Sequence, residues 1–264
     1  MQISDVLIPV GIFAGLGILL GLLLAIASRV FAVKTDERVE QINEALPGAN
    51  CGGCGYSGCA ALAEAIVKGE APANACRAGG EKAAKQIGEI MGIEVTALEP
   101  QRALVRCSGG DNAKKKYLYE GAPDCIAAER MSGGDKECPA GCIGLGTCIS
   151  VCRYGAISLQ NGQAVVDRSK CTGCGACSQI CPKHLIELVP ADAVYSVMCH
   201  SPEPGALTRK QCNAGCIGCK ICEKNCPAGA VTVSGCIASI DYSKCTSCGL
   251  CAEKCPRKII RKIK

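Results

Sequence analysis

The chain has 264 residues and a formal net charge of +5; it contains 25 cysteines, two histidines and only 3% aromatic residues. Two histidines nearly exclude histidine-based catalysis and histidine-rich metal sites, and so few aromatic side chains cannot build a large conventional core. The cysteine count is odd, and the cysteines stand in tight C-x2-C-x2-C runs, which strain disulfide geometry and differ from the paired C-x2-C of zinc ribbons. We therefore predict iron–sulfur clusters in a reducing environment.

The N-terminal segment carries an uncharged run, Val6–Ala27, that is long enough to span a bilayer core. A cleaved signal peptide is the alternative, but no Lys or Arg precedes the run, and the run is long for such a peptide. Arg29, Lys34 and Arg38 follow it. The positive-inside rule then predicts a single-pass anchor over residues 1–28 in the cytoplasmic membrane, with its N-terminus outside and the cluster domains in the cytoplasm.

The next segment predicts a linker helix followed by a small helical cluster domain. Helical spacing of apolar residues gives an amphipathic helix over Lys34–Leu46, within a linker of residues 29–47. A C-x2-C-x4-C-x16-C pattern follows, in a predicted domain of residues 48–98 with helices near 60–68 and 81–91. Its four cysteines are predicted to hold one [4Fe–4S] cluster: Cys51, Cys54, Cys59 and Cys76.

The second half contains an internal repeat with an offset of 74 residues. The run C-x2-C-x2-C-x3-C-P starts at Cys171 and recurs at Cys245, whereas the run that starts at Cys216 corresponds to a degenerate run from Cys142 in which Leu145 replaces a cysteine. Short hairpins are predicted between the runs, one around Asn161-Gly162 and one over Val231–Asp241. This pattern is typical of bacterial two-cluster ferredoxins, in which the fourth cysteine of each run ligates the other cluster.

The predicted fold is therefore α+β, with two tandem ferredoxin modules: module 1 over residues 99–190 and module 2 over residues 191–264. Exchange of the fourth cysteine between runs predicts three complete ligand sets. They are Cys152, Cys171, Cys174 and Cys177; Cys216, Cys219, Cys222 and Cys255; and Cys226, Cys245, Cys248 and Cys251.

The degenerate run leaves one cluster with three obvious ligands, Cys142, Cys148 and Cys181. Cys138 is the predicted fourth ligand, with Cys107, Cys125 or a three-iron cluster as alternatives. About five clusters then account for twenty cysteines. The other five are expected to be buried thiols beside clusters rather than ligands; they are Cys107, Cys125, Cys199, Cys212 and Cys236.

The chemistry expected of this chain is electron transfer without substrate-bond catalysis. No glycine motif for a dinucleotide or a nucleotide occurs, so no flavin or nicotinamide is expected here, and no Ser/His/Asp set is apparent. The positive charge is concentrated in a C-terminal tail, Arg257–Lys264. The tail is expected to steer an acidic protein, to touch anionic lipid or simply to be solvated. Nucleic acid is not expected, because no aromatic stacking residues accompany the charges.

Two stretches resemble a known family. Leu46–Gly55, together with Cys59 and Cys76, and Gly141–Cys148 are similar to the B subunit of Rnf complexes, the ion-translocating ferredoxin–NAD oxidoreductases. The resemblance extends over nearly the whole chain. It implies a subunit that takes electrons from soluble ferredoxin and passes them to the membrane and peripheral subunits of a translocase that exports Na⁺ or H⁺. Flavin and nicotinamide sites would belong to those other subunits.

Two alternatives to this interpretation are a polyferredoxin subunit of another membrane reductase or hydrogenase and a membrane-bound iron–sulfur redox sensor, although no output element of a sensor is apparent.

We further predict the direction of electron flow. Only Ser28–Asn50 separates the predicted span from the first cluster motif, which favours electron entry at the ferredoxin modules and exit through the 51–76 cluster.

Overall fold

A computed structural model describes residues 4–30, 36–96 and 98–264, and the side chains of these residues except 4–10, 12 and 30. The chain divides into two compact units, Met1–Glu37 and Arg38–Lys264. The first contains helix α1 (Ser4–Val30), which includes the uncharged run. Within the described part of the chain, no helix meets the combined length and hydropathy of a membrane-spanning helix.

Three helices form the N-terminal part of the second unit, as predicted: α2 (Glu37–Ala45), α3 (Cys59–Val67) and α4 (Gly80–Met91). The Asn50 side-chain oxygen accepts a hydrogen bond from the Cys59 N–H at 2.8 Å and so satisfies one of the free amides at the start of α3. The three helices bury an apolar core that includes Ile42, Leu62 and Ile87, each at most 1% exposed. This core positions the loop that carries the first cysteines.

The region of module 1 is built from short elements. They are β1 (Gln101–Val105), a 3-10 turn (Gly110–Asn112), α5 (Cys125–Arg130), α6 (Thr147–Ser150), β2 (Ile157–Gln160), β3 (Gln163–Val166), α7 (Ala176–Ile180) and β4 (Ile186–Pro190). Strand β1 pairs antiparallel with β4, and β2 pairs antiparallel with β3. The outer pair therefore joins the two ends of the module.

The region of module 2 repeats this plan. Its elements are β5 (Tyr195–Val197), α8 (Gly205–Gln211), α9 (Ile221–Lys224), β6 (Val231–Ser234), β7 (Ile237–Ile240), α10 (Leu250–Glu253) and β8 (Ile260–Lys262). Strand β5 pairs with β8 and β6 with β7, again antiparallel. The mixed helix and strand content confirms the α+β class, whereas the domain boundaries stay predictions.

Both predicted hairpins are confirmed. Asn161 and Gly162 have positive φ angles of 49° and 68°, the conformation of a type I′ turn, which suits the twist of β2 and β3. Gly235 and Cys236 also have positive φ angles between β6 and β7. Cys236 therefore occupies the turn position that Gly162 holds in the other module.

Candidate iron–sulfur cluster sites

All 25 cysteines are free thiols. Among the described residues, no group of three Cys, His, Asp or Glu side chains is arranged to hold a single metal ion. A four-iron cluster spreads its four thiolates around a larger core than one ion does. The grouping of the cysteines is therefore judged from the cavities they line and from the neighbours of each thiol.

The first group, quartet A, contains the four cysteines predicted for the N-terminal domain. Cys51, Cys54, Cys59 and Cys76 line one cavity of about 350 Å³, next to Leu62 of the helical core. Burial raises the pKa of the Cys76 thiol, and the other three cysteines of the quartet raise it further. Like-charged sulfurs held this close are stabilised as thiolates by a cationic iron core, so this quartet suits a cluster.

The second group, quartet B, also matches the predicted set. Burial raises the pKa of the Cys177 thiol to about 12, with further contributions from Cys174, Cys171 and Cys152 and from a thiol of the next group, Cys148. Backbone amides point at its sulfurs: the N–H of Ala103 donates to Cys171 Sγ at 3.3 Å, and that of Ala156 donates to Cys152 Sγ at 3.4 Å. Such donors stabilise the negative charge of a cluster.

The third group, quartet C, differs from the prediction. A cavity of about 410 Å³ is lined by Cys125, Cys142, Cys148 and Cys181. Burial raises the pKa of Cys148 to about 12, and Cys142, Cys125 and Cys181 add to the effect. Cys138, which the sequence favoured as the fourth ligand, lines a different cavity. The fourth cysteine of this cavity is therefore Cys125, one of the alternatives that the sequence left open.

Helix α5 explains how Cys125 reaches this cavity. Asp124 caps the helix, accepting hydrogen bonds from the N–H groups of Ile126 and Ala127. Thr147 ties this cap to the degenerate run, since its hydroxyl donates to Asp124 Oδ1 at 2.6 Å and accepts from the N–H of Cys125 at 2.7 Å. The Thr147 hydrogen bond also lowers the pKa of the Asp124 carboxyl. No cysteine spacing reveals this connection, because α5 lies in an insertion that module 2 lacks.

Charged side chains surround quartet C. Lys136 is 5% exposed, and its Nζ donates to the carbonyl oxygens of Cys142 at 2.7 Å and Gly162 at 2.9 Å. This ammonium lowers the pKa of Cys142, although burial dominates and raises it. Lys183 Nζ forms an ion pair with Glu129 Oε2 at 2.6 Å and so fixes α5 against the end of the second run.

Quartets E and F in module 2 match the predicted sets. Cys216, Cys219, Cys222 and Cys255 line a cavity of about 340 Å³ and form quartet E. Burial raises the pKa of Cys222 to about 11, with contributions from the other three thiols. Quartet F surrounds Cys251, whose pKa is raised by burial and then by Cys245, Cys248 and Cys226.

A further cavity was not predicted. It also measures about 340 Å³ and is lined by four buried thiols, quartet D: Cys107, Cys138, Cys199 and Cys212. From the sequence, three of them, Cys107, Cys199 and Cys212, are expected to be buried packing thiols rather than ligands. Cys138 and Cys212 are separated by the repeat offset of 74 residues, so the repeat indicates that these two positions are equivalent. Cys107 and Cys199 are not separated by that offset, so the repeat does not indicate the other half of the site.

Neighbouring quartets lie in contact along the second unit. Cys174 of quartet B lines the cavity of quartet A, and a Cβ added to Gly53 would overlap the Cys174 carbonyl oxygen, so glycine is needed for this close approach. The N–H of Cys142 donates to Cys107 Sγ at 3.4 Å, and that of Cys216 donates to Cys199 Sγ at 3.3 Å. The order of contact is thus A, B, C, D, E, with F beside E in the module 2 core.

Cysteine quartets on paired, repeated modules of two-stranded sheets define an iron–sulfur protein of ferredoxin type. Four family models match: putative Fe-S cluster over residues 46–78, 4Fe-4S dicluster domain over 140–185, and 4Fe-4S binding domain over 213–229 and 238–261. The chain therefore binds several [4Fe–4S] clusters.

The relatives identify the family more closely. The chain is 44% identical over 97% of its length to the B subunit of the ion-translocating oxidoreductase complex of Methanosarcina acetivorans, of which it covers 98%. It is 44% identical over 98% of its length to the B subunit of the Na⁺-translocating ferredoxin:NAD⁺ oxidoreductase complex of Acetobacterium woodii, and it covers 78% of that subunit. A proton-translocating counterpart in Clostridium ljungdahlii is 39% identical over 94% of the chain, with 89% covered. The chain belongs to the family of B subunits of ion-translocating oxidoreductase complexes.

Proposed function

We propose that this chain is the multi-cluster electron-transfer subunit of an ion-translocating ferredoxin–NAD oxidoreductase. It accepts electrons from reduced soluble ferredoxin and delivers them to partner subunits of the complex. The observation that carries this proposal is the near full-length similarity to the B subunits of such complexes, joined to the unbroken series of cysteine quartets. The clusters supply one-electron chemistry, and the protein holds the cysteine quartets that would bind them close together.

The ligand sets proposed for five clusters are quartets A, B, C, E and F. Each consists of four cysteines whose thiols lie together. Quartet C takes Cys125 in place of Cys138. The domain limits proposed from the sequence, 48–98, 99–190 and 191–264, assign quartet A to the first domain and the other four to the ferredoxin modules.

We also propose that α1 anchors the chain in the cytoplasmic membrane as a single span with its N-terminus outside. The uncharged run Val6–Ala27 and the basic residues that follow it support this topology. Membrane lipid and the membrane subunits of the complex are then its partners at that end. A reporter that is active only in the cytoplasm, fused after Lys264, tests this proposal: activity supports it, and an inactive, periplasmic fusion contradicts it.

The direction of electron flow is tested with a Cys54→Ala variant of the full chain in its complex. Electrons are proposed to enter at the ferredoxin modules and to leave through quartet A. The variant should therefore be reduced by ferredoxin as fast as the unmodified protein, while transfer to the other subunits stops. Stopped-flow absorbance of the clusters measures the first step, and NAD⁺ reduction measures the second.

A Cys236→Gly variant is the matched control, because Cys236 lies in a turn where the other module has Gly162. It should behave as the unmodified protein in both assays. A Cys54→Ala variant that retains its other clusters but is not reduced by ferredoxin would reverse the proposed direction. Absence of ferredoxin oxidation in the unmodified complex would reject the proposed function itself.

A further inference from the structure

We propose that quartet D binds a sixth [4Fe–4S] cluster, shared between the two ferredoxin modules, and that this cluster connects them electrically. The site consists of Cys107 and Cys138 from module 1 with Cys199 and Cys212 from module 2. All four side chains are buried, at 6–8% exposure. The four thiols line one cavity, as those of quartet E do.

The two halves of the site are structurally equivalent, although the 74-residue offset of the sequence repeat does not align all of their cysteines. Cys107 lies two residues beyond the end of β1, and Cys199 lies two residues beyond the end of β5. The sequence separation to the first cysteine of the following run is 35 residues for Cys107 but 17 for Cys199. The insertion that carries α5 accounts for this difference and shifts Cys107 out of the 74-residue offset.

One amide donor is equivalent in the two halves of the site. In each, the first cysteine of the following run donates its N–H to the strand-end cysteine: Cys142 to Cys107 Sγ, and Cys216 to Cys199 Sγ. The N–H of Gly109 also donates to Cys107 Sγ at 3.3 Å, and that of Ala214 donates to Cys212 Sγ at 3.4 Å. Amides aimed at sulfur are the feature that quartet B shows, and they stabilise thiolates on a cluster.

A small ladder of backbone contacts brings the four cysteines together. Ala113 forms an antiparallel bridge with Cys212, and the N–H of Lys114 donates to the Gln211 carbonyl at 2.9 Å. On the other side of this segment, Lys115 forms an antiparallel β-bridge with Lys136, and this bridge places Cys138 at the same cavity. The insertion in module 1 thus lies between the segment before Cys138 and the segment that contains Cys212.

Packing alone does not account for this arrangement. Isolated buried thiols are common, but here four of them come from two modules, occupy paired positions and face one cavity. Three buried polar atoms on the lining, the hydroxyls of Ser108 and Ser201 and His200 Nδ1, have no hydrogen-bond partner among the described residues. Buried polar atoms without partners are rare, and the sulfides of a cluster would accept hydrogen bonds here.

The position of quartet D implies its role, which rests on the proposed function. It touches quartet C through Cys142 and quartet E through Cys216, and so completes the series between the modules. Clusters held by quartets E, D and C would pass single electrons in that order, each being oxidised by one equivalent as the next is reduced, with reduced ferredoxin at module 2 as the source.

Metal content tests the site without reference to ferredoxin. The full chain, purified anaerobically, should contain about 24 iron and about 24 sulfide, and a Cys138→Ala/Cys212→Ala variant about 20 of each. The Cys236→Gly control should keep the full content, because six quartets leave only Cys236 outside. About 20 iron in the unmodified chain, or an unchanged content in the double variant, would overturn the proposal.

A milder variant covers the case in which the double variant does not fold. Cys138→Ser keeps a small polar side chain and should convert the site to a three-iron cluster, with its paramagnetic signal in the oxidised state and a loss of about one iron per chain. A Cys138→Ser protein with unaltered iron and no such signal contradicts the assignment.

The bridging role is tested by the extent of reduction. Reduced ferredoxin should rapidly reduce all clusters of the unmodified chain, but only those of the module it meets first in the double variant. If the fast absorbance change on mixing with reduced ferredoxin has the same amplitude in both proteins, quartet D does not carry electrons between the modules. If ferredoxin reduces neither, the proposed function fails, while the iron count still decides whether the sixth site exists.

Discussion

At the scale of single residues, Cys125 is the proposed ligand in place of the cysteine that Leu145 replaces in the degenerate run. The cap formed by Asp124 and Thr147 fixes the start of α5 against that run, so Cys125 enters the cavity of quartet C. At the 74-residue offset Cys125 corresponds to Cys199, which lines the cavity of quartet D instead. The repeat therefore shows where a ligand is missing but not which residue supplies it.

A Cys125→Ser variant tests this assignment. Loss of one thiolate should convert the quartet C cluster from four irons to three, with a fall of about one iron per chain. Electron paramagnetic resonance of the oxidised protein and iron analysis measure both effects. The unmodified chain, isolated anaerobically, should give no three-iron signal. If Cys125→Ser matches the Cys236→Gly control in both measurements, Cys125 is not a ligand.

At the scale of elements, the C-terminal tail is only partly free. Arg257 donates to the backbone carbonyls of Cys212, Asn213 and Gly215 and thus helps to hold the loop of quartet D. It corresponds in the repeat to Lys183, whose ion pair with Glu129 holds α5. The exposed charges available to a partner are those beyond Arg257, on β8 and at its ends: Lys258, Arg261, Lys262 and Lys264.

Neutralising these four charges while keeping Arg257 tests electrostatic steering. Asparagine suits position 258, where φ is 49°, and glutamine suits the others. Reduction by an acidic ferredoxin should slow by about ten-fold at low salt and lose most of its salt dependence. Stopped-flow rates over a range of ionic strength measure this. A variant with the three lysines changed to arginine keeps the charge and should keep the rate; equal rates in both variants would exclude steering by the tail.

At the scale of the whole molecule, the two parts of the second unit are held together by different means. The N-terminal core has nine buried residues and no cysteine among them, whereas four of the nine buried residues in the module 2 core are cysteines. Two-stranded sheets are marginal on their own in water, and the modules contain only such sheets within the described residues. Metal ligation therefore contributes much of the stability of the modules.

Iron removal should accordingly unfold the modules before the helical domain. After oxidation and chelation, amides of β1–β8 should lose most of their protection against hydrogen exchange, while those of α2 and α4 keep a larger share. Mass spectrometry of peptides from the intact and iron-free chains gives the comparison. Equal protection of strands and helices after iron removal would show that side-chain packing alone holds the modules.

The sequence by itself determined the local features of this protein. Helices α2–α4 and both hairpins follow from apolar periodicity and turn residues, and quartets A, B, E and F follow from cysteine spacing, because each of these patterns lies within a run or within a recognisable repeat. The tertiary structure alone decided the fourth member of quartet C and the grouping of quartet D. Cys125 lies in an insertion, and Cys107 meets Cys199 only because β1 and β5 end at one interface, where ladder contacts between distant segments bring the modules together. Spacing along a chain carries no information about such contacts, since they depend on how two folded modules pack.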